Sequence, residues 1–250
     1  MFTFPLLWGD PDVTAHLSRI TTSNPTLISA LENLILGAKS NNLWNKILTL
    51  CVAHDNEADS LKNLKSSSYD GTNHGACAFT SLQGFTTVAN TKWIDTNVDV
   101  NVGIFSGNYH HMWLYQRSIT PTTSSDLMSA GWPAILNQNG PAPDQTFTNM
   151  NGGVTPIISQ DAPVGFIGET YTYPDVTLRI NATEAVGTGG AIGGSNRVLV
   201  GSRGPGGGTS GANIQCAGWG LGANMSASEF SQLRTLIEAY MDAIGAGVFP

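Results

Sequence analysis

"IDTNVDVNVGIF", residues 94–105, sets the beat of this chain. Val98, Val100, Val102 and Ile104 alternate with Asn97, Asp99, Asn101 and Gly103, a period of two that sends one row of side chains into a core and the other toward water. Outward from this strand, "ACAFTS" (76–81), "HMWLYQRS" (111–118), "TPIIS" (155–159), "VTLRIN" (176–181), "RVLVGS" (197–202) and "NIQCAGW" (213–219) read as further short strands separated by turn residues. Many short strands with turn signals between them predict a mainly β fold, a two-sheet antiparallel sandwich.

Helices are expected at both ends. Asn24 is an N-cap, Pro25 fits the first helical position, and Leu27, Leu31, Leu34, Ile35 and Ala38 recur at helical spacing. "SNN" at 40–42 interrupts that stripe. A second short helix is expected beyond it, with Leu43, Trp44, Ile47, Leu48 and Cys51 on one side, so residues 24–53 read as a packed helical pair. At the other end Ser226 and Glu229 stand in the capping-box relation, and Phe230, Leu233, Ile237, Tyr240, Met241 and Ile244 run down one face to Gly245. Residues 131–153 carry Pro and Gly with little periodicity and read as a long loop or a loose hairpin. No internal repeat and no linker divides the 250 residues, a length that one domain accommodates.

Only 12% of the residues are charged, against about a quarter in an average domain, and the net charge is −7. That leaves no cationic surface for a phosphate backbone, which argues against a nucleic-acid partner. Cys51, Cys77 and Cys216 are isolated and odd in number, signalling neither a disulfide framework nor zinc. No apolar run reaches the roughly 18 residues of a membrane-spanning helix, so membrane insertion is not expected. The opening "MFTFPLLWGD" has neither the basic start nor the small-residue cleavage site of a signal peptide. Its Phe2, Phe4, Leu6, Leu7 and Trp8 read as a docking arm or, equally well, as a first edge strand lying on the protein's own core.

The glycine clusters "GSRGPGGGTSG" (201–211) and "GTGGAIGG" (187–194) lack the Lys-Ser/Thr of a phosphate loop and lead into strand rather than helix, so they read as turns. His110 and His111 are neighbours on a strand, face opposite ways and make a poor metal pair; His16, His54 and His74 are scattered. Asp95, Asn97, Asp99 and Asn101 share one strand face. Their oxygens suit calcium or sugar hydroxyls, and equally the plain solvated face of an amphipathic strand, which is the favoured reading. Neither an alternating acidic strand for glycoside hydrolysis nor a G-x-S-x-G elbow is present, and no cofactor or metal is expected. Tyr109, Trp132, Tyr171 and Tyr173 lie near turn residues and are candidates to stack on sugar rings, Tyr109 and Trp132 first among them.

Five stretches, in order, carry a resemblance: "LENLILGAKSNNLWNKILTL", "AHDNEADSLKNLKSSSYDGT", "WIDTNV", "RVLVGSRG" and, after "GWGLG", "MSASEFSQLRTLIEAYMDAIG". Together they resemble bacteriophage and prophage structural proteins with a concanavalin A-like, or laminin-G-like, jelly-roll domain. The resemblance covers about residues 26–246. It implies a sandwich domain over 26–250, with a helical lead-in at 26–55 and a closing helix at 226–244, and leaves residues 1–25 as an arm that attaches it to the particle. It further implies a non-enzymatic virion protein on the tail or capsid surface, adsorbing to a host polysaccharide, with other virion proteins and copies of itself in a homotrimer as partners. A decoration protein without sugar binding, and a polysaccharide-cleaving enzyme on the same fold, are the alternatives.

Overall fold

The computed structural model describes residues 9–248 apart from 101, 107, 121–124, 131–133, 139–144, 150–154, 161–162, 191–196 and 203–210. Two helices come first, α1 (Pro11–Leu17) and α2 (Pro25–Ser40). Asp10 caps the first by accepting the Asp12 N–H, and Asn24 caps the second by accepting those of Thr26 and Leu27; each helix has proline in its opening turn. Of the stretch 1–25 expected to be an arm, residues 1–8 lie outside the described residues, and Val13 and His16 of α1 are buried.

The helix expected over residues 43–51 is not there. A single 3-10 turn at Trp44–Lys46 leads straight into strand β1 (Ile47–Val52), so the N-terminal helices are α1 and α2. A short apolar run satisfies helical and strand spacing alike, and "ILTLCV" is buried along nearly its whole length, which removes the alternation that marks a strand.

After α3 (Glu57–Ser60) come β2 (Thr72–His74), β3 (Ala78–Thr80), β4 (Gly84–Thr86), β5 (Trp93–Asp99), β6 (Tyr109–Thr120), β7 (Ser125–Ser129), β8 (Ala134–Gln138), β9 (Gln145–Asn149), β10 (Ile157–Ser159), β11 (Gly165–Thr172), β12 (Asp175–Ile180), β13 (Thr183–Thr188), β14 (Arg197–Val200) and β15 (Asn213–Gly222). Helix α4 (Ala227–Ala243) closes the fold. The first sheet has the order β13-β12-β11-β6-β15-β4-β3, with β1 also paired to β15; the second runs β10-β9-β8-β7-β14-β5-β2. Neighbours are antiparallel throughout. The fold is the mainly β, two-sheet antiparallel sandwich that the alternation predicts, with N-terminal helices and a closing helix. Within residues 131–153 the hairpin reading holds, since β8 pairs with β9 in register from Ala134↔Asn149 to Gln138↔Gln145.

Two cores result. Met112 and Leu114 of β6, Ile167 of β11 and Trp219 of β15 face the second sheet and meet Ile94, Val98, Val198 and Val200. The intervening residues Trp113, Tyr115, Phe166 and Ala217 face the other way, onto Leu31, Leu34 and Ile35 of α2 and Phe230, Leu233 and Ile237 of α4. Close contact there depends on missing side chains. A Cβ on Gly220 would sit 2.5 Å from Trp113 Nε1, and one on Gly168 would sit 2.7 Å from Phe230 Cζ. The capping box expected at α4 is formed in both directions between Ser226 and Glu229.

Phe230 is fully buried, edge-on to Phe166 at 5.3 Å. Phe230→Ala is expected to lower the unfolding free energy by about 3–5 kcal/mol and Ser226→Ala by about 1 kcal/mol. Urea unfolding monitored by tryptophan fluorescence reads both losses.

Candidate functional site

Helices cover the outer face of the first sheet along β6 and β11, whereas the outer face of the second sheet at β2, β5 and β14 carries partly exposed polar side chains at His74, Asn97, Asp99 and Arg197 beside buried Asp95 and Leu199. On β5, Ile94, Thr96 and Val98 point inward and Asp95, Asn97 and Asp99 point outward, as the alternation predicts. The strand ends at Asp99, however. Val102 bridges Phe105 in a turn, and Ile104 is exposed rather than buried. The regular beat through residue 105 is thus broken at a chain reversal where Phe105 takes the core position.

Asn97 adopts φ 57°, a left-handed conformation that asparagine tolerates. It accompanies an irregularity in pairing: Arg197 lies opposite Asp99 and Leu199 opposite Asp95, so β5 carries extra residues. The bulge folds Asn97 back over its own strand. Its backbone N–H donates to Asp95 Oδ1 (2.7 Å), and its side-chain amide donates to Asp70 O (2.6 Å) and Thr72 Oγ1 (2.8 Å).

Arg197 completes the cluster. Its Nη1 lies 2.8 Å from Asp95 Oδ2 and 2.8 Å from Asn97 Oδ1. The Asp95 carboxylate holds the guanidinium's proton more firmly still than usual, raising its pKa. Beside it, the His74 ring lies nearly flat on Trp93, with centroids 5.3 Å apart and planes 10° from parallel, and His74 Nε2 is 3.8 Å from Asp95 Oδ2. The face is not the plain solvated surface favoured from sequence: Asp95 is 5% exposed, lying under arginine and histidine. Both its oxygens and both ends of the Asn97 amide are engaged, so these two residues position others rather than reach a ligand. Facing outward are Arg197, with 48% of its side chain exposed, His74 with 43%, the half-buried Trp93, and Asp99. A guanidinium stands where calcium would need the Asp95 and Asn97 oxygens. Among the described residues no group of three or more metal-ligating side chains forms.

The other nominated residues divide. Tyr109, 53% exposed, opens β6 opposite Thr172, and Tyr173 at the β11–β12 turn is 48% exposed with its N–H on Asn108 O. Antiparallel register sets both at the end of the sandwich reached by Asp99 and Arg197: the C-terminus of β5 lies beside the N-terminus of β14, and residues 100–108 lead from β5 directly into Tyr109. Tyr171 is not exposed. It is wholly buried and donates its hydroxyl to Gly190 O at 2.9 Å, because its place on β11 faces the second sheet. Trp132 and the arm residues Phe2, Phe4, Leu6, Leu7 and Trp8 lie outside the described residues, as do residues 203–210 of the glycine cluster. The next element along the chain is β15, a strand rather than a helix.

His110 and His111 do face opposite ways. His110 Nε2 is 3.2 Å from Glu169 Oε1 between the sheets, and the His111 ring meets Phe230 on the helical side, where burial pushes its pKa down to about 4. Sequence reasoning missed Arg197, His74 and Trp93. "RVLVGS" and "IDTNVDVNVGIF" marked the strands of Arg197 and, one residue short, Trp93, while the strand of His74 was not read at all; only the register joins the three.

No protein-family model matches the chain, and no curated protein is similar to it. Among solved structures, it is similar in fold to domain 4 of an extracellular arabinanase of family GH43 from Geobacillus stearothermophilus, solved with arabinotriose. The TM-score is 0.50 at 15% identity, over 76% of this chain and 98% of that domain. A sialidase from Trypanosoma rangeli aligns at TM-score 0.47 and 13% identity, over 83% of this chain but 38% of its own length. A sialidase from Streptococcus pneumoniae aligns at TM-score 0.34 and 12% identity, over 50% of this chain and 24% of its own.

The two halves of the Asp95–Arg197 pair should behave differently on substitution. Arg197→Ala, at a half-exposed position, is expected to change stability by less than about 1 kcal/mol. Asp95→Ala strips the buried acceptor from the Asn97 backbone N–H and the guanidinium and is expected to cost about 1–3 kcal/mol. Chemical denaturation of the two variants checks the difference.

Proposed function

We propose that this chain is a glycan-binding module without catalytic chemistry, and that its site is the outer face of the second sheet around Arg197, His74 and Trp93. One observation carries the reading: a guanidinium fixed in place by the buried Asp95 and the partly exposed Asn97 stands beside a partly exposed indole, on a sheet face that no helix covers among the described residues. Sugar recognition asks for this combination, an apolar aromatic surface for the ring and rigidly oriented polar groups for the hydroxyls. Arg197 holds five donors in a planar fork and uses one nitrogen on Asp95 and Asn97, leaving others for ligand oxygens. The fold analogy points the same way, because the arabinanase domain is solved with arabinotriose. Binding without turnover is supported by the engagement of Asp95 by Arg197, which takes that carboxylate out of acid–base work.

The biological setting we propose rests on the sequence resemblance: an exterior protein of a phage particle that adsorbs to the host's surface polysaccharide, held by other virion proteins and assembled as a homotrimer. Purified protein is then expected to bind host envelope polysaccharide and to reduce infection when added in excess. Binding to neither host cells nor polysaccharide would leave decoration of the particle as the role. Release of reducing ends, lost in single Asp or Glu variants, would make the chain an enzyme.

Titration calorimetry with arabino-oligosaccharides and host polysaccharide fragments tests the site. Trp93→Ala and Arg197→Ala are each expected to weaken binding at least tenfold, about 1.4 kcal/mol, with melting temperature held. Tyr109→Ala, farther toward the end of the sandwich, is expected to weaken it less. Unchanged affinity in both Trp93→Ala and Arg197→Ala would remove the site from this face.

A further inference from the structure

His16 on α1 and His54, two residues after β1, meet inside the protein with ring centroids 5.7 Å apart and planes tilted by 63°. His16 is 1% exposed and His54 not at all, and none of their four ring nitrogens has a hydrogen-bond partner. An imidazole so placed is tolerated neutral and strongly opposed when charged, because nothing there replaces water around the cation. Two of them in contact also repel once charged. The charged and titratable groups around the pair are Arg19, two residues beyond α1, Asp55 beside His54, Asp59 of α3, Asp70, and Tyr240 of α4, whose hydroxyl donates to Ala53 O at 2.7 Å.

The rest of what holds residues 10–24 down is apolar packing by Val13, Leu17 and Ile20 against the helical core and a polar rim. Asp10 and Asp12 pair with Lys39, and Trp44 Nε1 donates to Asp12. Arg19 pairs with Asp70 and donates to the Asn63 and Ser66 carbonyls; Thr21 and Thr22 donate to Asp59 and Asp55. Val13 is the buried hydrophobic residue of α1. The histidine contact is therefore the main part of the attachment that depends on pH above the carboxylate range.

We propose that α1 is an acid-released clasp: the neutral His16–His54 contact seats residues 10–24 on the sandwich, and mild acid, by charging the pair, frees this segment before the sandwich itself unfolds.

The pH window is set by the side chains. A free histidine takes its proton near pH 6.5, whereas burial pushes His16 down to about 3 and His54 down to about 4. The seated state is therefore fully favoured above pH 6.5 and loses ground as pH falls toward 4. Each imidazole that is neutral when seated and protonated when free multiplies the opening constant by up to about tenfold per pH unit, and two by about a hundredfold. The rim persists through this window. Asp10 is held below the usual carboxylate range chiefly by Lys39. Burial raises Asp59 and Asp70, but hydrogen bonds from Asn56 and Thr21 to the first and from Arg19 and Asn63 to the second outweigh it, leaving both lowered. His111, also lowered by burial, adds only about tenfold per pH unit to unfolding of the sandwich once the clasp is already open.

Hydrogen-exchange protection of the intact chain between pH 7.5 and 4.5 tests this, together with His16→Phe and His54→Phe. In the wild type the amides of residues 11–17 should lose at least a hundredfold in protection by pH 4.5, while those of β6 and β15, which open only when the sandwich unfolds, are weakened but remain far better protected. Each phenylalanine variant should halve the logarithmic pH dependence. Protection at 11–17 that stays constant, that disappears only together with β6 and β15, or that falls equally steeply in both variants would overturn the clasp. Imidazole NMR titration of the wild type gives a reading without substitution. Both rings should stay neutral until the α1 amides open, and titration of either near pH 6.5 with α1 still protected contradicts the proposal.

Discussion

Water is excluded from both faces of the first sheet along its central strands β6, β11 and β15, and the rest of the molecule is arranged around that constraint. Trp113, Tyr115 and Phe166 stand on one face, and Met112, Leu114, Ile167 and Trp219 on the other. A sheet of this kind needs a cover on each side. The second sheet supplies one. Helices α2 and α4 supply the other, and that is why a capped, amphipathic helix comes directly after the last strand. The same arrangement decides where a ligand can go. With one sheet sealed by helices, the outward row of β5 and its neighbours keeps Arg197, His74 and part of Trp93 within reach of solvent, held by one another and by the buried Asp95.

Holding matters as much as exposure. Arg197 is long and flexible, and on a bare surface it would lose rotamer freedom on meeting a ligand. Here Asp95 and Asn97 restrain it in advance. Asn97 can do so because it leaves the regular strand conformation, and Asp95 because it lies buried beneath the group it orients. The residues of this row that look most like sugar ligands on paper thus act one step behind the surface.

The alternation at 94–100 and the capping box at Ser226 and Glu229 were legible because each is a local pattern with one physical reading. Elements buried on both faces were not. β1 reads as helix and β11 escapes notice, since "GFIGETYT" is internal along nearly its whole length, with Glu169 set against His110 59 residues away in sequence. The candidate site was half legible. Asp95, Asn97 and Asp99 could be placed on one face, but Arg197 arrives through the β14–β5 register from about a hundred residues off, and His74 through the β2–β5 pairing. Tyr109 and Tyr171 looked alike beside their turns, and strand phase separates them: one ends a strand in solvent, the other points between the sheets.

The location of a bound glycan tests the account most directly. Amide and side-chain NMR shifts, recorded while arabinotriose or a host polysaccharide fragment is added, are predicted to move at Trp93, His74, Arg197 and Asp99 and to remain still along α2 and α4. Shifts concentrated on the helical layer, with the outer row of β5 unmoved, would contradict it.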